Sequence, residues 1–186
     1  MNIQLSKITN IDGNTSVAFL FDGIAGLPFG LTSGELALWN NKPEKSETLL
    51  IQRLPHFLFL AGPDLSKPGH RVRESFRKAG AAWMETVRKE KIAVISIGGY
   101  TETSHTLAFL EGVLLAAYSF SKYKKEKENF VMQEVLIMDQ GITETDLEEL
   151  KWLSEAVWWA RDLVNEPFSF FYKVVMFGTC LIGYGR

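Results

Sequence analysis

The amino-acid sequence predicts an α/β domain: a three-layer sandwich with a mostly parallel twisted sheet and helices on both faces. Short, continuously apolar runs such as Val17 to Phe21 (VAFLF) and Ile92 to Ile97 (IAVISI) read as strands covered on both sides. Long stretches with apolar residues three and four apart have the period of helices lying on a sheet. Gly62-Pro63, Pro68-Gly69 and Gly98-Gly99 punctuate the boundaries between the two kinds of stretch.

The elements follow in order. Ile3 and Leu5 alternate with Asn2, Gln4 and Ser6, as in a half-buried strand, and Val17 to Phe21 is the second strand. Thr32 with Glu35 has capping-box spacing and starts a short helix. Glu47 to Leu54 (ETLLIQRL) and Phe57 to Ala61 (FLFLA) are two further strands, with Pro55 as the break between them. From about His70 to Glu90 a helix carries Val72, Phe76, Ala79, Trp83 and Val87 on one stripe. Its opposite face carries Arg73, Arg77, Lys78, Glu85 and Arg88.

Ile92 to Ile97 is then a buried strand ending at Gly98-Gly99. A helix follows from roughly Glu102 to Phe120, apolar nearly all round and hence deeply buried, with Leu107, Leu110, Leu114 and Tyr118 on one stripe. Ser121 to Asn129 is a charged, solvated connection, and Val131 to Met138 is the next strand. Thr145 with Glu148 offers a capping box for the last helix, which carries Leu147, Leu150, Ser154, Val157, Ala160 and Val164 at spacings of three and four. Strand and helix alternating in this way build βαβ units, whose crossovers should be right-handed.

The 186 residues suffice for one sizeable domain with its own core. The 46% hydrophobic and 23% charged shares are those of an ordinary globular protein. A net charge of −2 points to neither a nucleic-acid nor an anionic-membrane partner. Cys180 is the only cysteine, which excludes an internal disulfide and a cysteine-built zinc site and fits a cytoplasmic protein. Phe168 to Tyr184 is very apolar but interrupted by Lys173; the run after it falls short of the roughly 20 residues a spanning helix needs. A buried segment is expected there rather than a membrane anchor.

Few residues are arranged for chemistry. His56, His70 and His105 lack partners at ligand spacing, so no metal site is expected. No nucleophile elbow is present, and Cys180 has no assignable base. Ser96 to Ser104 (SIGGYTETS) places Gly98 and Gly99 between a strand and a helix start. That position makes Gly98-Gly99 a candidate anion-binding loop, although both the G-x-G-x-x-G pattern and the Walker lysine are missing. The basic residues near Arg71 to Lys78 are diluted by acidic neighbours and read as a solvated helix face. Glu111 lies among apolar neighbours and needs a partner if buried. Trp152, Trp158 and Trp159 share the last helix. At about 100° per residue one stripe cannot bury all three, so they are candidate interface residues.

Two stretches carry a family resemblance. Ala160 to Pro167 (ARDLVNEP) resembles the segment at which leucyl aminopeptidases, the cytosol aminopeptidase family, pass from their N-terminal into their catalytic domain. Phe109 to Lys124 (FLEGVLLAAYSFSKYK) is similar to a helix of the same family in its Glu-Gly, its Leu-Leu and its Tyr-x-Phe-x-x-Tyr. The resemblance implies a macro-domain-like, non-catalytic N-terminal domain over residues 1–166. It also implies a cytoplasmic, hexameric parent that releases N-terminal amino acids from peptides. The parent family's chemistry uses two divalent metals, zinc or manganese, bound in the C-terminal domain. The family's blocks resembling NTDAEGR, Gly-Lys-Gly and Asp-Ser-Gly-Gly are absent, so no catalytic, cofactor-binding or metal-binding residue is carried over.

After Pro167 the family's usual Thr-Pro is missing, and residues 167–186 read as an aberrant or truncated tail. The implied partners are a catalytic domain and oligomeric neighbours, and the chain is expected to be inactive alone and to self-associate. The alternative is a stand-alone macro-domain-like module that holds a nucleotide or phosphate ligand at Gly98-Gly99.

Overall fold

The computed structural model describes residues 3–11, 13–21, 32–43, 46–120, 122–123 and 132–167. The apolar stretch Phe168 to Tyr184 and Cys180 lie outside the described residues, as does most of the charged connection after Ser121. The elements are β1 (Gln4–Lys7), β2 (Ser16–Phe21), α1 (Ser33–Asn40), β3 (Thr48–Arg53), β4 (His56–Ala61), α2 (Gly69–Lys89), β5 (Val94–Tyr100), α3 (Thr103–Ala117), β6 (Glu134–Met138) and α4 (Glu144–Asn165).

The six strands form one mixed sheet in the order β1-β6-β5-β2-β4-β3. All neighbours are parallel except β3, which closes the sheet as an antiparallel edge on β4 with Leu50 opposite Phe59. The α/β class expected from the alternation of elements is therefore the observed one.

The helices divide unequally between the two faces. On one face Ala18, Leu20, Phe59, Ala61, Ile95, Ile97, Val135 and Ile137 share a core with buried residues of α2, α3 and α4. On the other, Phe19, Phe21, Ile51, Leu58 and Leu60 pack around Trp39 of α1. Alternation along each strand sends successive side chains to opposite faces, so β2 and β4 contribute to both cores. The Phe21 and Trp39 rings meet edge to face at 4.8 Å. The stripe Val72, Phe76, Ala79, Trp83 and Val87 is buried throughout, as the period of α2 requires.

The capping box expected at Thr32 and Glu35 is present at the start of α1. Glu35 also takes Arg53 Nε and Nη2 at 2.6 and 2.7 Å, which ties α1 to the edge strand β3. Arg53, and after it hydrogen bonds from Thr32, hold the Glu35 carboxyl at about 2 against the opposing effect of burial. A depressed carboxyl contributes stability above its unfolded value, about 4.3, and that contribution is lost as pH falls toward 2. Glu35→Gln should thus lower the thermal midpoint at pH 6, with the gap to the parent chain closing by about pH 2. A gap independent of pH would contradict the assignment.

Four expectations shift. The capping box of α4 is Thr143 with Asp146, two residues before the pair Thr145 and Glu148. Ile142 and Leu147, which flank this cap at staple spacing, both belong to the main core; their burial sets where the helix begins. β5 starts at Val94 and runs on to Tyr100, so Gly98 and Gly99 lie inside a central strand rather than in a loop. They pair with Phe19 and Leu20 of β2, and a Cβ on Gly99 would lie 1.8 Å from the Leu20 carbonyl oxygen. Gly99 permits this close approach of backbones. α3 ends at Ala117 instead of Phe120, because Tyr118 turns to extended backbone at φ −59°, ψ 132°. In α4 the buried residues are Leu147, Leu150, Ser154 and Trp158, whereas Ala160 and Val164 face outward.

Candidate docking site

The two motifs that carry the family resemblance meet in space. α3 ends with backbone carbonyls that no further helical turn can satisfy. Side chains from the flanking helices supply the donors. Trp158 Nε1 donates to the Leu114 carbonyl at 3.1 Å, Arg161 Nη1 to that of Leu115 at 2.7 Å, and Arg88 Nη2 to that of Ala116 at 2.8 Å. The two arginines also place positive charge at the negative end of the α3 dipole.

Beyond α3, the Tyr118 hydroxyl donates to Asp162 at 2.8 Å and accepts from Asn165 Nδ2 at 3.1 Å, while the Arg161 guanidinium lies 5.5 Å from the Tyr118 ring centre. Lys122 and the Tyr123 hydroxyl both reach Glu166. Lys122 first, and Tyr123 after it, hold the Glu166 carboxyl below the usual carboxylate range. Arg161, Asp162, Asn165 and Glu166 of the junction motif are therefore all occupied in clasping the end of α4 to the end of α3.

The Glu-Gly of the same α3 motif acts at the α2–α3 contact. Glu111 is half-buried and receives Arg77 Nη2 at 2.8 Å, which supplies the partner its apolar surroundings demand. Gly112 lets the two helix backbones touch; a Cβ there would stand 2.0 Å from the Arg77 carbonyl oxygen.

The three tryptophans of α4 part company. Trp158 is 8% exposed and belongs to the main core, which removes it from the interface candidates. Trp152 and Trp159 are each 65% exposed. They point away from the sheet with Leu153, Ala156, Ala160 and Val164, all of them exposed. The outer side of α4 is thus a second apolar stripe, beginning two turns after the helix start and running to the clasp. Its inner side carries one defect: the buried Ser154 hydroxyl has no hydrogen-bond partner.

The one buried histidine is in structural use. His105 is buried, stacks on Phe76 at 4.8 Å and bonds Thr101 through Nδ1 at 3.0 Å. Among the described residues no group of three or more His, Cys, Asp and Glu is placed to hold a metal ion. No helix there is long and apolar enough to cross a membrane. At the carboxyl ends of β1, β5 and β6 lies a cleft of about 710 Å³ lined by Lys7, Thr9, Gly99, Thr101, Asp139 and Gln140 among others. Gly99 reaches it from within the strand, whereas a Cβ on Gly98 would meet the side chains of Ile11 and Met138.

No protein-family model matches the chain. It is 31% identical over 176 residues to a probable cytosol aminopeptidase of Aquifex aeolicus (strain VF5), a match that covers 86% of this chain and 35% of the relative. A probable cytosol aminopeptidase of Alkaliphilus metalliredigens (strain QYMF) is 34% identical over 144 residues, covering 68% of this chain and 28% of its own length. The chain thus spans about a third of the length of the curated relatives it matches. In fold it is similar to a variant of tomato leucine aminopeptidase, with a TM-score of 0.67 at 13% identity over 89% of this chain and 39% of that one. It is also similar to the bottromycin maturation enzyme BotP in complex with Mn, with a TM-score of 0.59 at 19% identity over 84% of this chain and 33% of that one. By sequence along most of its length, this chain belongs to the cytosol aminopeptidase family and matches the N-terminal part of those proteins.

Proposed function

We propose that this domain is the non-catalytic support of a cytosol-aminopeptidase-type metallopeptidase, and that it works by presenting α4 as a docking surface. The observation that carries this reading is the outer stripe of α4, where Trp152 and Trp159 stand exposed beside a clasp that fixes the same helix in place. Large aromatics held on a rigid helix are typical anchors of protein contacts. In a longer family member the surface would receive the remaining polypeptide and oligomeric neighbours. The release of N-terminal amino acids from peptides, with its two divalent metals, zinc or manganese, would reside in that remainder. Two such ions would activate water and stabilise the tetrahedral intermediate there. The name of the relatives supports a cytoplasmic setting.

The reading predicts no aminopeptidase activity for the purified chain. A leucine chromogenic substrate with added manganese or zinc tests it. Metal-dependent turnover that stays with the intact, pure chain through several columns would refute it.

A second reading, a macro-domain-like module for a nucleotide or phosphate ligand, is favoured by the strand-end cleft, since open α/β sheets bind ligands beyond the carboxyl ends of their strands. Against it, Gly98 and Gly99 lie in the sheet, Lys7 already donates to the Ile142 carbonyl, and Asp139 puts a carboxylate in the lining of the cleft. Calorimetry with ADP-ribose separates the two: micromolar binding weakened by a change at Lys7 would favour the module, and no heat would remove it.

A further inference from the structure

We propose that the groove between α2 and α4, floored by α3, is a binding site for a dipeptide zwitterion, with the peptide's carboxylate on Arg73 and its ammonium on Glu149. The groove encloses about 420 Å³, the size of a small-ligand site. Its banks differ in charge. α2 contributes Arg73 on one side, α4 contributes Glu149 on the other, and Leu107 and Leu150 supply apolar surface between them. Neither Trp152 nor Trp159 lines it, so the groove stays open when the outer stripe of α4 is covered.

Contacts between the helices fix the level of each charge. Phe76 stacks on His105 and Arg88 reaches the Ala116 carbonyl, so α2 runs parallel to α3 and sets Arg73 level with its first turn. Trp158, Arg161 and Asp162 meet Leu114, Leu115 and Tyr118 in the same order, so α4 is parallel as well and sets Glu149 at that level. Arg73 and Glu149 therefore oppose each other across the start of α3. Both are exposed, and among the described residues neither side chain has an ion-pair partner. The neighbouring charges are engaged. Arg77 holds Glu74 and Glu111, and Asp146 takes the Thr143 hydroxyl through Oδ2.

The span fits two residues. Packed helices stand about 8–10 Å apart, which places α2 and α4 about 16–20 Å from each other on either side of α3. With side-chain envelopes about 5–6 Å in radius, a gap of about 6–8 Å remains between the banks. An extended dipeptide covers about 7 Å from end to end. A guanidinium matches the planar carboxylate at one terminus, and a carboxylate matches the ammonium at the other. A ligand carrying only one of these charges leaves a bank unanswered, so the site discriminates by requiring both.

Calorimetry on the whole chain with the dipeptide Leu-Leu tests the site. The expected result is saturable binding with a Kd below about 1 mM. N-acetyl-Leu-Leu lacks the ammonium and Leu-Leu amide lacks the carboxylate; each should bind about tenfold more weakly. The variants should lose discrimination at one end only. Arg73→Gln should bind Leu-Leu and its amide alike while still rejecting the acetylated peptide. Glu149→Gln should bind Leu-Leu and N-acetyl-Leu-Leu alike while still rejecting the amide. Both variants should keep the thermal midpoint, because both side chains are exposed. Absence of saturable heat, blocked peptides that bind as tightly as Leu-Leu, or a variant that loses discrimination at the wrong end would each overturn the assignment. The readout is binding rather than turnover, so it is independent of the aminopeptidase assay: an inactive chain that binds no dipeptide removes the site and leaves the support role standing, while an active chain that binds it removes the support role and leaves the site.

Discussion

Gly112→Val should leave the chain unfolded, and Gly112→Ala should destabilise it by about 3 kcal/mol, the upper end of the usual cost of overpacking. The reason is a reciprocal contact. A Cβ at Gly112 would lie 2.0 Å from the carbonyl oxygen of Arg77 and 3.1 Å from its Cα. A Cβ at Gly80 on the facing helix would lie 2.1 Å from the Phe109 carbonyl oxygen and 3.0 Å from the Val113 nitrogen. The obstructing atoms are backbone in the middle of two helices, so no side chain can rotate away to make room. Only separation of α2 from α3 relieves the clash. Separation would open the core around Phe76, Trp83, Phe109 and Val113, all of which have no exposed surface. With a total stability of about 5–15 kcal/mol for a domain of this kind, the larger valine exceeds what the fold can absorb. Gly69→Ala is the matched control, because nothing lies within 4 Å of its Cβ position. Urea denaturation followed by circular dichroism measures all three. A Gly112→Ala midpoint equal to that of Gly69→Ala would show that the helices do not approach this closely.

The second large effect separates two adjacent tryptophans. Trp158→Ala should cost about 3–5 kcal/mol, the range for truncating a buried aromatic. Trp159→Ala should change monomer stability by no more than about 0.5 kcal/mol, as for a surface position. Trp158 is 8% exposed, packs in the main core, and donates its indole N–H to the Leu114 carbonyl. Its removal leaves both a cavity and an unsatisfied carbonyl at the end of α3. Trp158→Phe should recover much of the packing but not the hydrogen bond, and should fall between the two. Thermal or urea unfolding at low micromolar concentration, where association is minimal, gives the comparison. Equal losses for the two alanine variants would show that Trp158 and Trp159 do not face opposite sides of α4.

Most of the elements are legible in the chain because they rest on local periodicity. The stripe of α2 from Val72 to Val87, the cap at Thr32 and Glu35, and the apolar β2 and β5 each depend on residues within a few positions of one another. Phe109 to Lys124 and Ala160 to Pro167 were recognisable as family motifs, yet their joint purpose was not. The contact of Tyr118 with Asp162 joins residues 44 apart, which no local pattern encodes. The C-terminal half of the α4 stripe departs from its apolar spacing for the same reason. Val157, Ala160 and Val164 keep plausible helical spacing, but the indole of Trp158 has a carbonyl acceptor waiting on α3 and takes the inner position.

The class of fold, the succession of strands and helices, and the family can all be read along the chain. Each follows from the spacing of apolar residues or from a contiguous motif, and both are properties of one dimension. Tertiary structure alone decided the strand order and the antiparallel β3 edge, the placing of Gly98 and Gly99 within β5, and which tryptophans of α4 face solvent. Those outcomes depend on which distant backbone atoms come within contact or hydrogen-bond reach, and only the packed chain brings them together.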